Sequence, residues 1–250
     1  MSFLGGIFGK EKIKELPPID LGSFCTDIHS HLIPGIDDGA RDMNSSIAML
    51  AKFESLGYKK VVTTPHVMSD LFRNTPDIIL GGLEKVQTTA SKLNLNIEIE
   101  AAAEYYFDET LFERLERKEK LLTFGDNYVL FEFSFHTEPQ HVDRLFFELL
   151  SQGYKPVVAH LERYLFLEGN IDRVYKWREE GINIQLNFNS LTGHYGPQIL
   201  QQAERLVDSG QIDFVGSDCH RMEHLMLLES KLHLPYFHKL EGLELKNMKL

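Results

Sequence analysis

Only two cysteines, Cys25 and Cys219, occur in 250 residues, too few for a disulfide framework and in keeping with a reducing cytoplasm. No apolar run is long enough to cross a bilayer. The opening Phe3-Leu4-Gly5-Gly6-Ile7-Phe8 is too short and glycine-rich for a signal peptide, so membrane insertion is not expected. Basic residues are the minority: 26 Lys and Arg against 37 Asp and Glu leave a formal net charge of -11. A nonspecific nucleic-acid binder needs a basic face, so that class is excluded. What is present, 43% hydrophobic residues over this length, suits one large α/β domain. Residues 1 to about 20, with Lys10, Lys12, Lys14 and Pro17-Pro18, read as a mobile lead, and residues 21–250 as a single domain, expected in the cytoplasm.

Residues 29–39 read His-Ser-His-Leu-Ile-Pro-Gly-Ile-Asp-Asp-Gly, and the rest of the chain is organised around them. They follow a run over 23–28 that reads as a short strand, so His29 and His31 leave it pointing the same way. Asp37, Asp38 and Gly39 then place carboxylates on a tight turn. Further strands are expected over 58–66, 97–103, 128–131, 154–159, 182–186 and 213–216. Helices alternate with them. Thr75-Pro76 is a capped helix start. Val142, Leu145, Phe146, Leu149 and Leu150 make one amphipathic face, and Pro197 opens a helix that Gly210 ends. The phrases Gly-Tyr-Lys-Lys-Val-Val at 57 and Gly-Tyr-Lys-Pro-Val-Val at 153 are a faint internal repeat of a βα unit.

Each strand exit delivers a polar residue: His29, His66, Glu104, Glu132, His160, Asn187 and Asp218. They recur at about the thirty residues that a strand, a helix and two loops require. A single buried His or Glu is more often a satisfied core residue, but six possible ligands coinciding with seven exits point to one rim, where parallel βα barrels collect their chemistry. The expected fold is a distorted, TIM-barrel-like, seven-stranded (β/α)7 barrel. Its candidate metal ligands are His29, His31, Asp38, His66, Glu104, Glu132, His160, Asp218 and His220. Mixed imidazole and carboxylate sets suit Mn, Fe or Zn, and nine ligands exceed one ion. Strand alternation turns Cys219 away from them.

These residues resemble the polymerase-and-histidinol-phosphatase (PHP) metallohydrolase superfamily, and within it the bacterial protein-tyrosine phosphatases of capsule and exopolysaccharide synthesis. The phrases are residues 27–39, Thr-Pro-His at 64–66, Ala-Glu-Tyr-Tyr at 103–106, Phe-Glu-Phe-Ser at 131–134, Val-Val-Ala-His-Leu-Glu-Arg-Tyr at 157–164 and Gly-Ser-Asp-Cys-His at 216–220. The resemblance implies a PHP-type barrel and three divalent ions, manganese first, with iron or zinc as alternatives. One ion would take His29, His31, Glu104 and Asp218. Glu104 would bridge to a second on Glu132 and His160, and Asp38, His66 and His220 would hold the third. Arg163 matches the phosphate-binding arginine, which gives Arg163 and Glu104 the catalytic roles. A second arginine of the family pattern is absent, because Leu225 stands there; Arg221 is the nearby substitute.

The implied reaction is hydrolysis of phosphotyrosine on a protein, the tail of a bacterial tyrosine autokinase that controls capsule and exopolysaccharide synthesis. Tyr105, with Tyr106, Phe107 and Phe135, would flank the phenyl ring. Neither cysteine is followed six residues later by arginine, which excludes cysteine-phosphatase chemistry, and no Gly-x-Ser-x-Gly elbow occurs. Two other readings share the ligands: a phosphatase for a small ester such as histidinol phosphate, and a non-catalytic, metal-bound partner module of the kinase. Oligomeric state is left open.

Overall fold

Nine short strands, all paired in parallel, form the centre of the computed structural model, which describes residues 16–250. They are β1 (Thr26–Asp27), β2 (Lys60–Thr63), β3 (His66–Val67), β4 (Glu98–Ala101), β5 (Glu104–Tyr106), β6 (Tyr128–Glu132), β7 (Lys155–Val158), β8 (Asn183–Asn187) and β9 (Phe214–Gly216). Two curled sheets result, ordered β1-β2-β4 and β3-β5-β6-β7-β8-β9.

Two stretches expected as single strands are each interrupted. Pro65 has no N–H to give a ladder and breaks 58–66 into β2 and β3, and the partner stretch breaks opposite it at Ala102-Ala103. The register survives both breaks, since Lys60 faces Glu98 and His66 faces Glu104. Backbone bonds from Ala102 N to Thr63 O (2.9 Å) and from Glu104 N to Pro65 O (3.1 Å) cross the gap. The first strand is also shorter than expected. Asp20 Oδ1 accepts from Gly22 N at 2.9 Å and caps a 3-10 turn over Leu21–Phe24. Cys25 then turns through a left-handed φ of 61° before pairing begins.

At the other edge, beyond β9, Asp218 N donates to His29 O at 2.8 Å and His31 N to Cys219 O at 2.9 Å. The chain after β9 therefore runs beside the chain after β1.

Helices follow the strands: α1 (Met43–Ser55), α2 (Pro76–Lys92), α3 (Glu109–Glu116), α4 (Val142–Ser151), α5 (Ile171–Glu179), α6 (Pro197–Ser209), α7 (Met222–Lys231) and α8 (Pro235–Glu241). Thr75 caps α2 by accepting from Ile78 N at 3.3 Å. Val142, Leu145, Phe146 and Leu149 of α4 are buried in the large core between helices and sheet. A smaller core of Ile28, Val62, Leu130, Val157, Ala159 and Phe214 sits within the curl of the sheet. Of the expected lead, residues 1–15 lie outside the described residues. Ile19 is buried and donates its N–H to Leu232 O at 3.2 Å, so the described chain is already docked there. Among the described residues no helix is long and apolar enough to cross a membrane.

Candidate metal centre

Strand alternation decides which side chains reach the rim. In β5, Glu104 and Tyr106 face inward, and Tyr105 faces the outer core. In β6, Phe131 packs outward, so Glu132 faces in. His160 breaks the rule. Val157 and Ala159 belong to the inner core, and continued alternation would turn His160 out. Its φ of 31° brings it in, and its N–H is taken by Gln185 Oε1 at 2.7 Å. Asp218 also adopts a left-handed backbone, φ 50°. Such strain persists where surrounding contacts over-determine it and concentrates at functional sites.

All nine residues singled out in the sequence converge. Their donor atoms fall into four overlapping groups: His31, Asp38, His66 and His220; His29, His31 and Glu104; His29, His160 and Asp218; and His66, Glu104 and Glu132. Glu104 is at the middle, with Oε2 at 3.1 Å from His29 Nε2 and from His66 Nδ1, and Oε1 at 3.1 Å from His160 Nε2.

The ring nitrogens are oriented from behind. His29 Nδ1 meets Gln185 Oε1 at 3.1 Å, His31 Nδ1 meets Asp37 Oδ2 at 2.8 Å, and His220 Nδ1 meets the Asp218 carbonyl at 3.0 Å. Each acceptor fixes the proton on Nδ1 and leaves the Nε2 lone pair for the centre. His29 Nε2, His31 Nε2, His66 Nδ1, Glu104 Oε2 and His160 Nδ1 are buried without a hydrogen-bond partner. Buried polar atoms are rarely left so. Lone pairs that approach to 3.1–3.6 Å without hydrogen-bond geometry are arranged for cations between them, and the donor set fits divalent metal ions.

Electrostatics agree. Burial opposes charge on His29, but Glu104 and Asp218 outweigh it and raise its pKa to about 9. Burial likewise opposes charge on His66, and Glu104 with Glu132 raises it to about 12. Glu104 and Asp218 are held well below the usual carboxylate range despite burial, Glu104 by His29 and His66, Asp218 by His29 and His220. The site is a well of negative potential that selects cations. Gly39 permits its outer edge: a Cβ there would meet His31 O at 2.3 Å.

Arg163 lies at the rim of a depression of about 400 Å³ over the cluster. Its Nη1 donates to Asp218 Oδ2 at 2.9 Å. Its guanidinium is sandwiched between the rings of Phe135 and Tyr195, at 4.2 and 4.4 Å, so an oxyanion can approach in the plane only. Glu162 anchors the turn that carries it, accepting from Ser190 Oγ at 2.5 Å and Asn187 N at 3.1 Å.

Other expected substrate contacts need correction. Tyr105 is buried in the outer core with its hydroxyl accepting from Leu122 N at 2.8 Å, and Phe107 packs on Phe112 and Phe133. Tyr106, Phe135, Leu71 and Phe72 wall the depression instead, with Phe72 stacked on His66. Arg221 is outside that depression. Its Nε donates to His224 Nε2 at 3.0 Å, in a neighbouring cleft. Leu225 is fully buried. Cys219 packs on Met49 of α1, away from the cluster.

Gln185 and Tyr195 were not apparent from sequence as functional, and Asp37, one of the two carboxylates expected on the turn, orients His31. For Gln185 the signal is a glutamine within the run Asn-Ile-Gln-Leu-Asn of β8, where an inward polar side chain needs a partner.

Comparison with known proteins comes to the same region. Residues 25–226 match the model of a family described as capsular polysaccharide synthesis, CpsB/CapC. The chain is 30% identical over 220 residues to the tyrosine-protein phosphatase YwqE of Bacillus subtilis, covering 84% of this chain and 87% of that protein. It is 29% identical over 202 residues to the tyrosine-protein phosphatase CpsB of Streptococcus pneumoniae, covering 79% and 83%. Crystal structures of YwqE and CpsB, unique metal-dependent tyrosine phosphatases, include a chain that matches with a TM-score of 0.75 at 28% identity, over 90% of this chain and 94% of that one. An amidohydrolase from Mycoplasma synoviae shares the fold alone, with a TM-score of 0.53 at 13% identity over 95% and 91% of the two chains.

Proposed function

Because this chain belongs to the CpsB/CapC family of capsular polysaccharide synthesis, we propose that it is a metal-dependent phosphatase that hydrolyses phosphotyrosine on a protein. The observation that carries the reading is the convergence of nine ligand side chains, four of which (His29, His31, His66 and Glu104) turn orphaned buried ligand atoms to the centre, beside a ring-clamped arginine and an aromatic wall. The substrate protein is the tail of a bacterial tyrosine autokinase in capsule and exopolysaccharide control, in the cytoplasm. The nine strand segments act as seven strands of a distorted PHP-type (β/α)7 barrel. The kept register across both breaks and the bonds between residues 29–31 and 218–219 support this.

Three divalent ions, manganese first with iron or zinc as alternatives, would be held by His29, His31, Asp38, His66, Glu104, Glu132, His160, Asp218 and His220, with Glu104 shared between two of them. Bound ions supply Lewis acidity toward the phosphoryl oxygens and lower the pKa of the attacking water. The chain's own residues do the rest. Arg163 donates in-plane to a phosphoryl oxygen and offsets the charge that grows there. Tyr106, Phe72 and Phe135 hold the phenyl ring and exclude water. A P–O bond to water forms as the P–O bond to the phenol breaks; the phenolate takes a proton, leaving tyrosine and inorganic phosphate. A phenol pKa of about 10 makes this an acceptable leaving group.

The test is hydrolysis of a phosphotyrosine peptide by purified protein, before and after chelation and with manganese restored, beside histidinol phosphate. Turnover of the peptide should require metal and vanish in His160→Ala. Activity that survives thorough chelation overturns the mechanism, and preference for histidinol phosphate overturns the substrate. Metal-loaded protein that binds the kinase tail without hydrolysing any ester would make it a partner module.

A further inference from the structure

The depression over the cluster adjoins clefts of different charge. One, of about 660 Å³, shares Tyr106 and Ser134 with it and carries Glu109, Glu113, Glu116 and Glu138, with Arg144 paired to Glu116 at 2.8 Å. Another, of about 910 Å³, shares His220 with it, and its walls carry Arg41, Arg221, His194 and His224 against one carboxylate, Glu223. Among the described residues neither Arg41 nor Arg221 forms an ion pair, whereas Arg117, Arg144, Arg163, Arg173 and Arg178 do.

Arg221 is also oriented. The bond from its Nε to His224 Nε2 holds the guanidinium, and its terminal nitrogens remain for an incoming oxygen. Met222 and Glu223, in the first turn of α7, line the same cleft, and no side chain caps that turn, which adds the positive end of a helix. In a chain of formal charge -11, two unpaired guanidiniums facing one cleft beside the centre mark it for an anion.

We propose that this cleft is a subsite for acidic side chains of the polypeptide substrate. With phosphotyrosine over the cluster, the chain continues past His220 and sets Asp or Glu carboxylates, within about three residues of the phosphotyrosine, against Arg41 and Arg221. The assignment rests on the phosphatase reading and names the class of protein sequence that the site prefers. The cleft bearing Glu109, Glu113 and Glu138 offers no unpaired guanidinium, since Arg144 is held by Glu116 while Glu113 and Glu138 pair with Arg117 and Arg173, so the preference holds on one side of the phosphotyrosine and not on both. Arg73 and Arg114 are a built-in control: they too lack ion pairs, but they line a smaller cleft with Asp108 that lacks any cluster residue.

The test uses metal-loaded protein and three phosphotyrosine peptides: glutamates before the phosphotyrosine, glutamates after it, and glutamines throughout. The quantity read is the ratio of kcat/KM for each acidic peptide to that for the neutral one, measured within each variant so that any loss of chemistry common to both cancels. One acidic peptide should be favoured about two- to thirtyfold, the range for two solvent-accessible ion pairs, and the ratio should fall with added salt. In Arg41→Gln/Arg221→Gln it should approach one, and in Arg41→Glu it should fall below the parent's. Arg114→Gln should retain it. A ratio near one in the parent, a ratio carried by Arg114, or equal preference for both acidic peptides overturns the subsite and leaves the phosphatase reading standing. No hydrolysis of any phosphotyrosine peptide overturns both.

Discussion

The two ends of the parallel sheet bury charge in opposite ways. At the end where strands begin, Asp213 is 4% exposed and fully answered: it accepts from Arg178 Nε and Nη2 at 3.0 Å each, from Lys246 and from Ile184 N. Asn247, fully buried beside it, accepts from Val215 N and donates to the carbonyls of Thr26 and Val215 at 2.8–2.9 Å. It thereby joins β1 to β9. At the end where strands finish, His29 Nε2, His31 Nε2, His66 Nδ1 and Glu104 Oε2 are buried against one another with no hydrogen-bond partner. Burial of charge alone therefore does not mark a functional site in this molecule. Unanswered buried charge does, because a satisfied network has no further use for a ligand while an unsatisfied one bears a desolvation cost that a cation removes.

Replacing a shared carboxylate should give the largest effect. Glu104→Ala is expected to lose activity beyond the roughly 10–100-fold that removal of a supporting contact costs. The parent's melting temperature should rise when manganese is added, since the ions bind only the folded chain, and the variant should lose most of that rise. Metal content per chain checks the same point. Metal retained in full by Glu104→Ala would break the contrast between the two ends.

Gln185→Leu sharpens it one step further out. Gln185 Oε1 is the common acceptor for His29 Nδ1 and the His160 backbone, so two ligands lose their orientation together. A 10–100-fold fall in metal affinity is expected, with excess manganese restoring much of the rate. Next comes the clamp on Arg163. Tyr195→Leu removes one of its two rings and should raise KM for phosphotyrosine peptide about tenfold with metal content intact, and Tyr195→Phe, which keeps the ring, should recover most of it. A loss shared equally by both variants would assign the effect to the hydroxyl that accepts from Asn187 instead.

Much of this contrast is legible in sequence, and the part that is not has physical causes. The polar exits stand out because a βα unit has a nearly fixed length, so His66, Glu104, Glu132, His160 and Asp218 recur in step. The phrases around them also carry the family, which the match over residues 25–226 bears out. The breaks at Pro65 and Ala102-Ala103 are less legible: proline's missing donor signals the first, and the second follows only from its partner strand. Tyr106 rather than Tyr105 follows from alternation out of Glu104. Residues that act through distant partners leave no local trace. Gln185 holds His29 and Tyr195 holds Arg163 across separations that periodicity does not encode, whereas Asp37 holds His31 from within the turn whose carboxylates the sequence displays.

The smallest effect is expected at the satisfied end, and its pH dependence tests whether that end is purely structural. Burial acts to raise the Asp213 pKa, but Arg178 and Lys246 outweigh it and hold the carboxyl below its ordinary 3.8. A group depressed in the folded state contributes stability that is fully present above its unfolded value and is lost as pH falls through the folded one. Asp213→Asn should therefore destabilise the protein by about 2 kcal/mol near neutral pH, the scale of hydrogen bonds to charged partners. That gap should begin to close as pH drops below about 4, the unfolded value, and vanish only below the depressed folded value, where the parent's own carboxylate is protonated. Denaturant midpoints across that range read the gap, and metal content measured near neutral pH should match the parent's throughout. A gap that stayed constant down to low pH would show that charge on Asp213 is not what holds Arg178 and Lys246 to the sheet.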